Sequence, residues 1–361
     1  MKILDLYILK KYIGSFVFTL LILIPIAIAI DVSEKVDKFL RNSDLTIEMI
    51  MKDYYLNFII YYTNTFMPLA LFISTIFFTS KITANTEVIA LHTAKISFTR
   101  FLKPYFIGAS LVTVFALLMN HFMVPHSNKV FQEFKRTYIS TKFFDNTYLI
   151  DANLQLSETD YIYFRNFNLV TNKGYDFSFE RYEENQLKYK IQGEHVSWNP
   201  ADSLFTIYNI KKRVLKPKND ILIIESQFDT IFNFVPTDLQ NEDFIAKDMP
   251  SFKLYNYIQA SKSRGQKNLN THIVELHKRT SLPISSFILT LIAVSLSAKK
   301  RRGGTGINLA VGIGLMFIYV FFMKVSEVLG SVAGTNSFLM VWFPNIVFGV
   351  LAYFLYRNAN K

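Results

Sequence analysis

Residues 12–30 read Tyr12-Ile-Gly-Ser-Phe-Val-Phe-Thr-Leu-Leu-Ile-Leu-Ile-Pro-Ile-Ala-Ile-Ala-Ile30, an apolar run with no charged side chain. A helix crosses about 30 Å of hydrocarbon with roughly 20 such residues. Five further runs meet the same measure: Phe58–Ser80, Phe106–Val124, Ser281–Ala298, Ile307–Met323 and Phe338–Tyr356. The third is the most polar, with Asn120 and His121 near its far end. Three runs precede residue 126 and three follow residue 279, with a polar, β-patterned stretch of about 150 residues between them. Backbone groups in lipid must be satisfied within their own segment, so these runs are expected to be helices. The fold class that follows is an α-helical membrane protein with six transmembrane helices, 3+3, and one inserted β domain. Pro25 and Pro68 fall inside spans one and two and predict kinks, whereas Pro283 stands near the start of span four, where proline is tolerated.

Composition agrees: 51% of residues are apolar, 35 are Phe and 20 are Tyr, values that place the chain outside the soluble class. A formal charge of +11 raises the question of nucleic acid. The densest basic cluster, Lys299, Lys300, Arg301 and Arg302, directly follows an apolar run, which is how cytoplasmic span ends look, and no nucleic-acid partner is expected. The absence of cysteine excludes disulfides, thiolate metal sites and cysteine nucleophiles.

Lys and Arg gather on one side of the spans: Lys2, Lys10 and Lys11, then Lys81, Lys95, Arg100 and Lys103, then the 299–302 cluster, then Arg357 and Lys361. The loop 326–337 on the other side has none. Both termini are therefore expected in the cytoplasm and residues 126–279 outside it. Lys10-Lys11, the apolar core and Ala27-Ile28-Ala29 also imitate a cleavable secretory signal. The core is long for a signal, however, and its loss would upset the charge bias of every later span.

Inside the insertion, short alternating runs (161–165, 177–181, 187–191, 204–208 and 221–224) are separated by turn residues at 172–174, 184–186, 199–202 and 216–220. They predict an antiparallel sandwich or jelly roll. Ser251–Arg264 reads as a helix stopped by Gly265. The expected divisions are a membrane part at 1–125, a jelly-roll-like domain with a trailing helix at 126–265, and a second membrane part at 266–361.

Enzymatic chemistry is missing. No phosphate-binding Gly-x-x-x-x-Gly-Lys-Ser/Thr loop occurs, and Gly303-Gly304-Thr305-Gly306 reads as an interhelical turn. The six histidines show no ligand spacing, so no metal site is expected. Lys324 and Glu327, three apart at the outer end of span five, are placed to pair with each other.

Between spans two and three, residues 84–94 predict a short amphipathic helix, with Glu87 in its first turn and Val88 and Leu91 on an apolar ridge. It reads either as a peg for a cytoplasmic partner or as a connector lying in the interface. Met67-Pro-Leu-Ala70, Glu87-Val-Ile-Ala-Leu91, Ile96-Ser97, Arg100 and Pro104 resemble the second span, coupling helix and third span of the LptF/LptG permeases. Tyr257-Ile258, Glu275-Leu-His-Lys-Arg279, Pro283, Arg301-Arg-Gly303, Gly312, Tyr319 and Trp342-Phe-Pro-Asn345 extend the resemblance through the second half.

That resemblance implies a permease of the lipopolysaccharide export machine in the bacterial inner membrane, with its inserted domain in the periplasm. Its implied partners are an LptB-like ATPase dimer, a second LptF/LptG-type permease, an LptC-like single-span protein and lipopolysaccharide. ATP and Mg would be held by the ATPase, and none in this chain. Glu87, with Val88 and Leu91, matches the coupling-helix position that docks in the ATPase. Closure of the ATPase would push this helix, narrow the cavity shared with the second permease and expel the lipid upward. The family usually has Ala-Ser-Gly after this helix; this chain has Thr93-Ala94-Lys95. Where span one reaches the outer surface, Lys35, Lys38 and Arg41 suit an anionic lipid head, although Asp31, Glu34 and Asp37 among them also allow a self-neutralised face. A permease for lipoprotein or another lipid, and a membrane scaffold or sensor, remain as rivals; the first usually carries its large domain after span one, and the second has no cytoplasmic stretch long enough to fold alone. Ala at Lys35 and Lys38 is expected to reduce lipid photocrosslinking, and unchanged crosslinking removes that assignment.

Overall fold

All six apolar runs form helices, and each helix is longer than its run, although the fourth ends at Ser297, one residue short of its run. The computed structural model describes every residue except 1–2, 43, 140–147, 185, 201, 217–218, 233, 240–245, 264–268, 300–303 and 360–361. Helix α1 is Ile3–Leu40 and α2 is Ile47–Ala84. The short α3 is Glu87–Thr93, and α4 runs through Phe98–Ile139. Helix α5 is Ser251–Ser263, α6 is Asn270–Ser297, α7 is Gly304–Ser331 and α8 is Ser337–Ala359. Starts are capped where the sequence supplies an oxygen. Thr46 Oγ1 accepts from Met49 N at 3.3 Å and Ser97 Oγ from Arg100 N at 3.2 Å. Pro25, Pro68 and Pro283 all lie inside helices. Of the glycine run expected as a turn, Gly304–Gly306 open α7, and Gly303 lies outside the described residues.

The chain divides into two units, one holding residues 1–138, 247–251 and 273–361, the other 139–246 and 252–272. In the helical unit α2 is the central stave. Its Met67, Leu71, Phe78 and Ile82 join Ile8, Tyr12 and Phe16 of α1 and Phe101, Tyr105 and Val112 of α4 in one core. Its Phe72 and Ile76 join Leu289 and Ile292 of α6, Met316 and Tyr319 of α7 and Phe348 of α8 in a second. Two-thirds of the apolar windows of α2 and α6 are buried, against 6% for α1. Ile8, Tyr12 and Phe16 stand four apart and form the single stripe by which α1 attaches. Gly108 makes room for it, since a Cβ there would fall 2.5 Å from the Tyr12 ring.

Three π-helical segments, Ile50–Tyr55, Met119–Met123 and Lys135–Ile139, lie on α2 and α4. Such segments are unusual and frequent at functional sites. The boundary expected at 125 falls inside α4. Phe131 and Phe134 carry the helix onward because both rings pack on Tyr54, with centroids 4.9 and 5.3 Å away.

The second unit holds one six-stranded antiparallel sheet: β1 Tyr148–Gln155, β2 Asp160–Asn168, β3 Lys173–Glu183, β4 Gln186–Asn199, β5 Leu204–Val214 and β6 Ile221–Thr230. Each strand pairs with its neighbours in chain order. The sequence reading missed β1 and drew the others short, for a local reason. Buried positions run 162, 164, 167 on β2, 174, 177, 179 on β3 and 205, 207, 210 on β5, a step of two interrupted by a step of three. Asp176 and Asn209 sit inside two of these three-residue steps with positive φ, while the pairing register runs on unchanged at either side, so each is a local backbone twist that returns the next side chain to the core face. Gly174, read as a turn residue, packs under Phe164, whose ring would lie 2.6 Å from a Cβ there. Phe232 and Phe234 cover the same face, the latter 4.7 Å from the Phe205 ring.

Asp160 faces Arg181 across β2 and β3, with Arg181 Nε donating at 2.6 Å and Nη2 at 2.7 Å. These bonds hold the Asp160 carboxyl below the usual carboxylate range. A depressed folded-state pKa contributes stability above the unfolded value of about 3.9, lost as pH falls through the folded value. The protection factors of β2 and β3 amides in the full chain, with the intrinsic exchange rate at each pH divided out, should therefore fall on acidification below pH about 4, and Asp160→Asn should flatten that dependence.

Candidate functional site

Helices α2, α4, α6 and α7 enclose a cavity of about 510 Å³. Its wall grades from apolar to charged. Leu69 and Ile73 of α2 and Ile313, Met316, Phe317 and Val320 of α7 line one end. Four cations (Lys247, Lys278, Arg279 and Lys324) and two carboxylates (Glu275 and Glu327) line the other, which is therefore net positive. Helix α6 supplies Glu275, Lys278 and Arg279 from one face, by the three- and four-residue spacing.

Glu327 is the hub of that end. It accepts from Lys278 Nζ at 2.6 Å across α6 and α7, and from Lys324 Nζ at 2.9 Å within α7. The pairing of Lys324 with Glu327 was legible in the sequence; Lys278 was not, because nothing local marks a residue 49 positions away. Arg279 turns the other way, donating to Met249 O at 2.8 Å and Ser251 Oγ at 3.0 Å, and ties α6 to the segment at 247–251. Between the two ends Asn64 and Asn120 exchange amide hydrogen bonds of 3.1 and 2.7 Å across α2 and α4. Asn120, which made span three look weak, is thus satisfied inside the bundle.

Near the far end of α1, the three cations expected to meet lipid behave differently. Lys35 is tied to Asp31 and donates to Tyr54 Oη at 2.6 Å, while Tyr54 donates to Asp31 Oδ2 at 2.9 Å. Lys35 is therefore self-neutralised, the alternative the acidic neighbours allowed, and that argues against its use as a lipid clamp. Lys38 is half-buried and Arg41 exposed, and among the described residues neither forms an ion pair. Lys135 lies over the Phe131 ring at 5.1 Å, within electrostatic reach of Lys35 and Lys38. It went unnoticed in the sequence because it was counted into the inserted domain.

At the other end of α2, α3 takes the place of the expected 84–94 helix. Val88 is only 2% exposed and Leu91 packs on the same core, so the ridge expected to face a partner serves the chain's own interior. The physical reason is that a seven-residue helix held between two spans has the bundle as its nearest apolar surface. Glu87 remains half-buried, and the open face is Ile89, Ala90 and Thr93. Lys95 adopts φ 57°, the left-handed conformation that the family's glycine would take, and Ile96 N donates to Leu91 O at 3.1 Å to close the helix.

Among the described residues no three metal-ligating side chains are grouped. Six membrane-length helices, an inserted antiparallel sheet and a cavity among the helices with one apolar and one basic end fit a multi-pass membrane permease. The profile of the family "Lipopolysaccharide export system permease LptF/LptG" matches residues 6–358, and the chain belongs to that family. It is accordingly a lipopolysaccharide export permease of the inner membrane, a transport subunit and not itself an ATPase. No curated protein matches the chain.

Two outcomes are expected of this geometry. Glu327→Ala removes the carboxylate that Lys278 and Lys324 share, leaving Lys278 only Glu275 at 3.7 Å, and should cost about 2 kcal/mol in detergent unfolding, with Lys278→Ala added to it costing less than Lys278→Ala alone, as a double-mutant cycle would show. Lys95→Gly should stabilise by about 1 kcal/mol by relieving the left-handed strain, read as a raised Tm.

Proposed function

We propose that this chain is one half of a paired permease that takes lipopolysaccharide from the outer leaflet of the inner membrane and hands it to a periplasmic bridge, driven by a separate ATPase that grips α3. The observation that carries this reading is the polarity of the cavity. Acyl chains match the wall of Leu69, Ile73, Ile313 and Phe317, and an acidic head matches the basic end at Lys278 and Lys324. Lys38, Arg41 and Lys135 add cations near the end of α1. A glycolipid with acidic groups is the ligand that uses both ends at once.

Support for the remaining parts comes from elsewhere in the chain. Lys81, Lys95, Arg100, Lys103, Lys299 and Arg357 flank the helix ends around α3, which favours a cytoplasmic position for α3 and both termini. A dimeric LptB-like ATPase with its own ATP and Mg would then meet Glu87 and the open face of Ile89, Ala90 and Thr93. The sparsely buried α1 and the open faces of Gly306 and Gly314 on α7 suit a second permease of the same type. In the sheet unit β6 is an edge strand with Leu222 and Ile224 exposed, a surface suited to β-augmentation by an LptC-like protein or the bridge.

Gentle-detergent purification with mass spectrometry tests the whole assignment. An ATPase that accompanies the chain and is lost on Glu87→Lys, together with lipid A-type glycolipid, is the expected result. Recovery of a lipoprotein with a different ATPase, or of the chain alone under several detergents, rejects it.

A further inference from the structure

The first turns of α1 hold the α3 segment at both of its ends. Asp5 is 3% exposed and binds Arg100 with both carboxylate oxygens, at 2.5 Å to Nη1 and 3.0 Å to Nη2. Arg100 belongs to the first turn of α4, just beyond α3. Two residues after Asp5, Tyr7 Oη donates to Glu87 Oε2 at 3.2 Å, and Glu87 is the first residue of α3. One turn further, Ile8 and Tyr12 share a core with Val88 and Leu91. Residues 87–100 are thus fastened to α1 by an ion pair at one end, a hydrogen bond at the other and apolar contact between them.

The two fastenings differ in kind. The Asp5–Arg100 pair is bidentate and largely shielded, so it holds position. The Tyr7–Glu87 bond is single and lies at the surface, where Tyr7 is 40% exposed. A carboxylate has lone pairs for more than one donor, so Tyr7 occupies part of Glu87 and leaves Oε1 to a cation from outside. A side chain already held by one bond loses less freedom when a second donor arrives. The same bond makes any displacement of the start of α3 a displacement of α1, the least buried helix of the bundle.

We infer that Tyr7 is a positioning residue for the coupling step: it presents Glu87 to the partner ATPase and conveys the movement of α3 directly to α1. This rests on the reading of α3 as the docking element, and it adds a receiver of the push that the docking reading does not name. Neither α2 nor α4 has to move first, since the contact runs straight from α3 to α1.

The test uses the complete reconstituted transporter with Tyr7→Phe in this chain, a change that removes one hydroxyl from an exposed ring. The ATPase should still bind and hydrolyse ATP, while lipid delivered per ATP falls by about threefold to tenfold, the factor set by one hydrogen bond of ordinary strength. An unchanged lipid-to-ATP ratio overturns the role of Tyr7, including the case in which both rates drop together through poorer folding. As a second readout, spin labels on Ile3→Cys and Ala94→Cys, unique within this chain because it has no cysteine, should give a narrow distance distribution that broadens with Tyr7→Phe. An equally narrow distribution in the variant also overturns it. Absence of any ATPase from the unaltered complex overturns the docking reading instead, and this inference with it.

Discussion

Polar groups at membrane depth have no water to turn to, and the helical unit is organised by how they find each other. Asn64 meets Asn120, Tyr12 Oη pairs with Thr290 Oγ1 at 2.9 Å, Thr79 Oγ1 with Tyr105 Oη at 3.0 Å, Asn308 donates to Ser80 at 3.2 Å, and Tyr319 donates to Asn345 at 3.0 Å. Every one of these bonds joins two different helices. Individually such bonds are modest, about 0.6 kcal/mol on average. Their effect is on register, because sliding one helix by a single turn would strand both members of a pair in hydrocarbon. Apolar packing around α2 supplies cohesion, and the polar pairs decide which cohesive arrangement is adopted.

The cavity is where that rule is relaxed. Phe317, Ile313 and Leu69 line open space, and the four cations of the cavity outnumber its two carboxylates. A net-positive rim beside an apolar wall is a poor core, and that contrast is what the proposed lipid reading rests on. The same contrast separates α1 from α2: one has a single stripe at Ile8, Tyr12 and Phe16, the other is packed on two sides. A helix attached by one stripe can tilt without unpacking a neighbour.

Much of this was legible in the sequence. Spans were set by apolar length, and 12–30 lies well inside α1 while 338–356 nearly coincides with α8. The pairing of Lys324 with Glu327 followed from local spacing. Partners distant in sequence, such as Lys278 for Glu327 or Tyr54 for Asp31, leave no local trace, and periodicity does not reveal them. Val88 and Leu91 show a subtler limit. An apolar ridge on a short helix marks a surface that packs, and the pattern does not say whether it packs on another protein or on the chain's own bundle. Among the strands, the alternation rule worked until the positive-φ twists at Asp176 and Asn209, after which the true faces were out of phase with the pattern.

Because β1 to β6 are bonded in the order in which they are made, each strand after β1 finds its partner already made, and the sheet has the low contact order of a structure paired between neighbours. The helical unit is the reverse. Phe72 and Ile76 of α2 wait for Leu289 and Ile292, more than two hundred residues later in synthesis. During that interval one face of the central stave is covered by lipid alone, and the polar contacts of Ser80 with Asn308 and of Tyr12 with Thr290 do not yet exist. Biogenesis of this permease therefore passes through a half-built bundle attached to an already folded sheet, and the order of its assembly is written into the order of its strands.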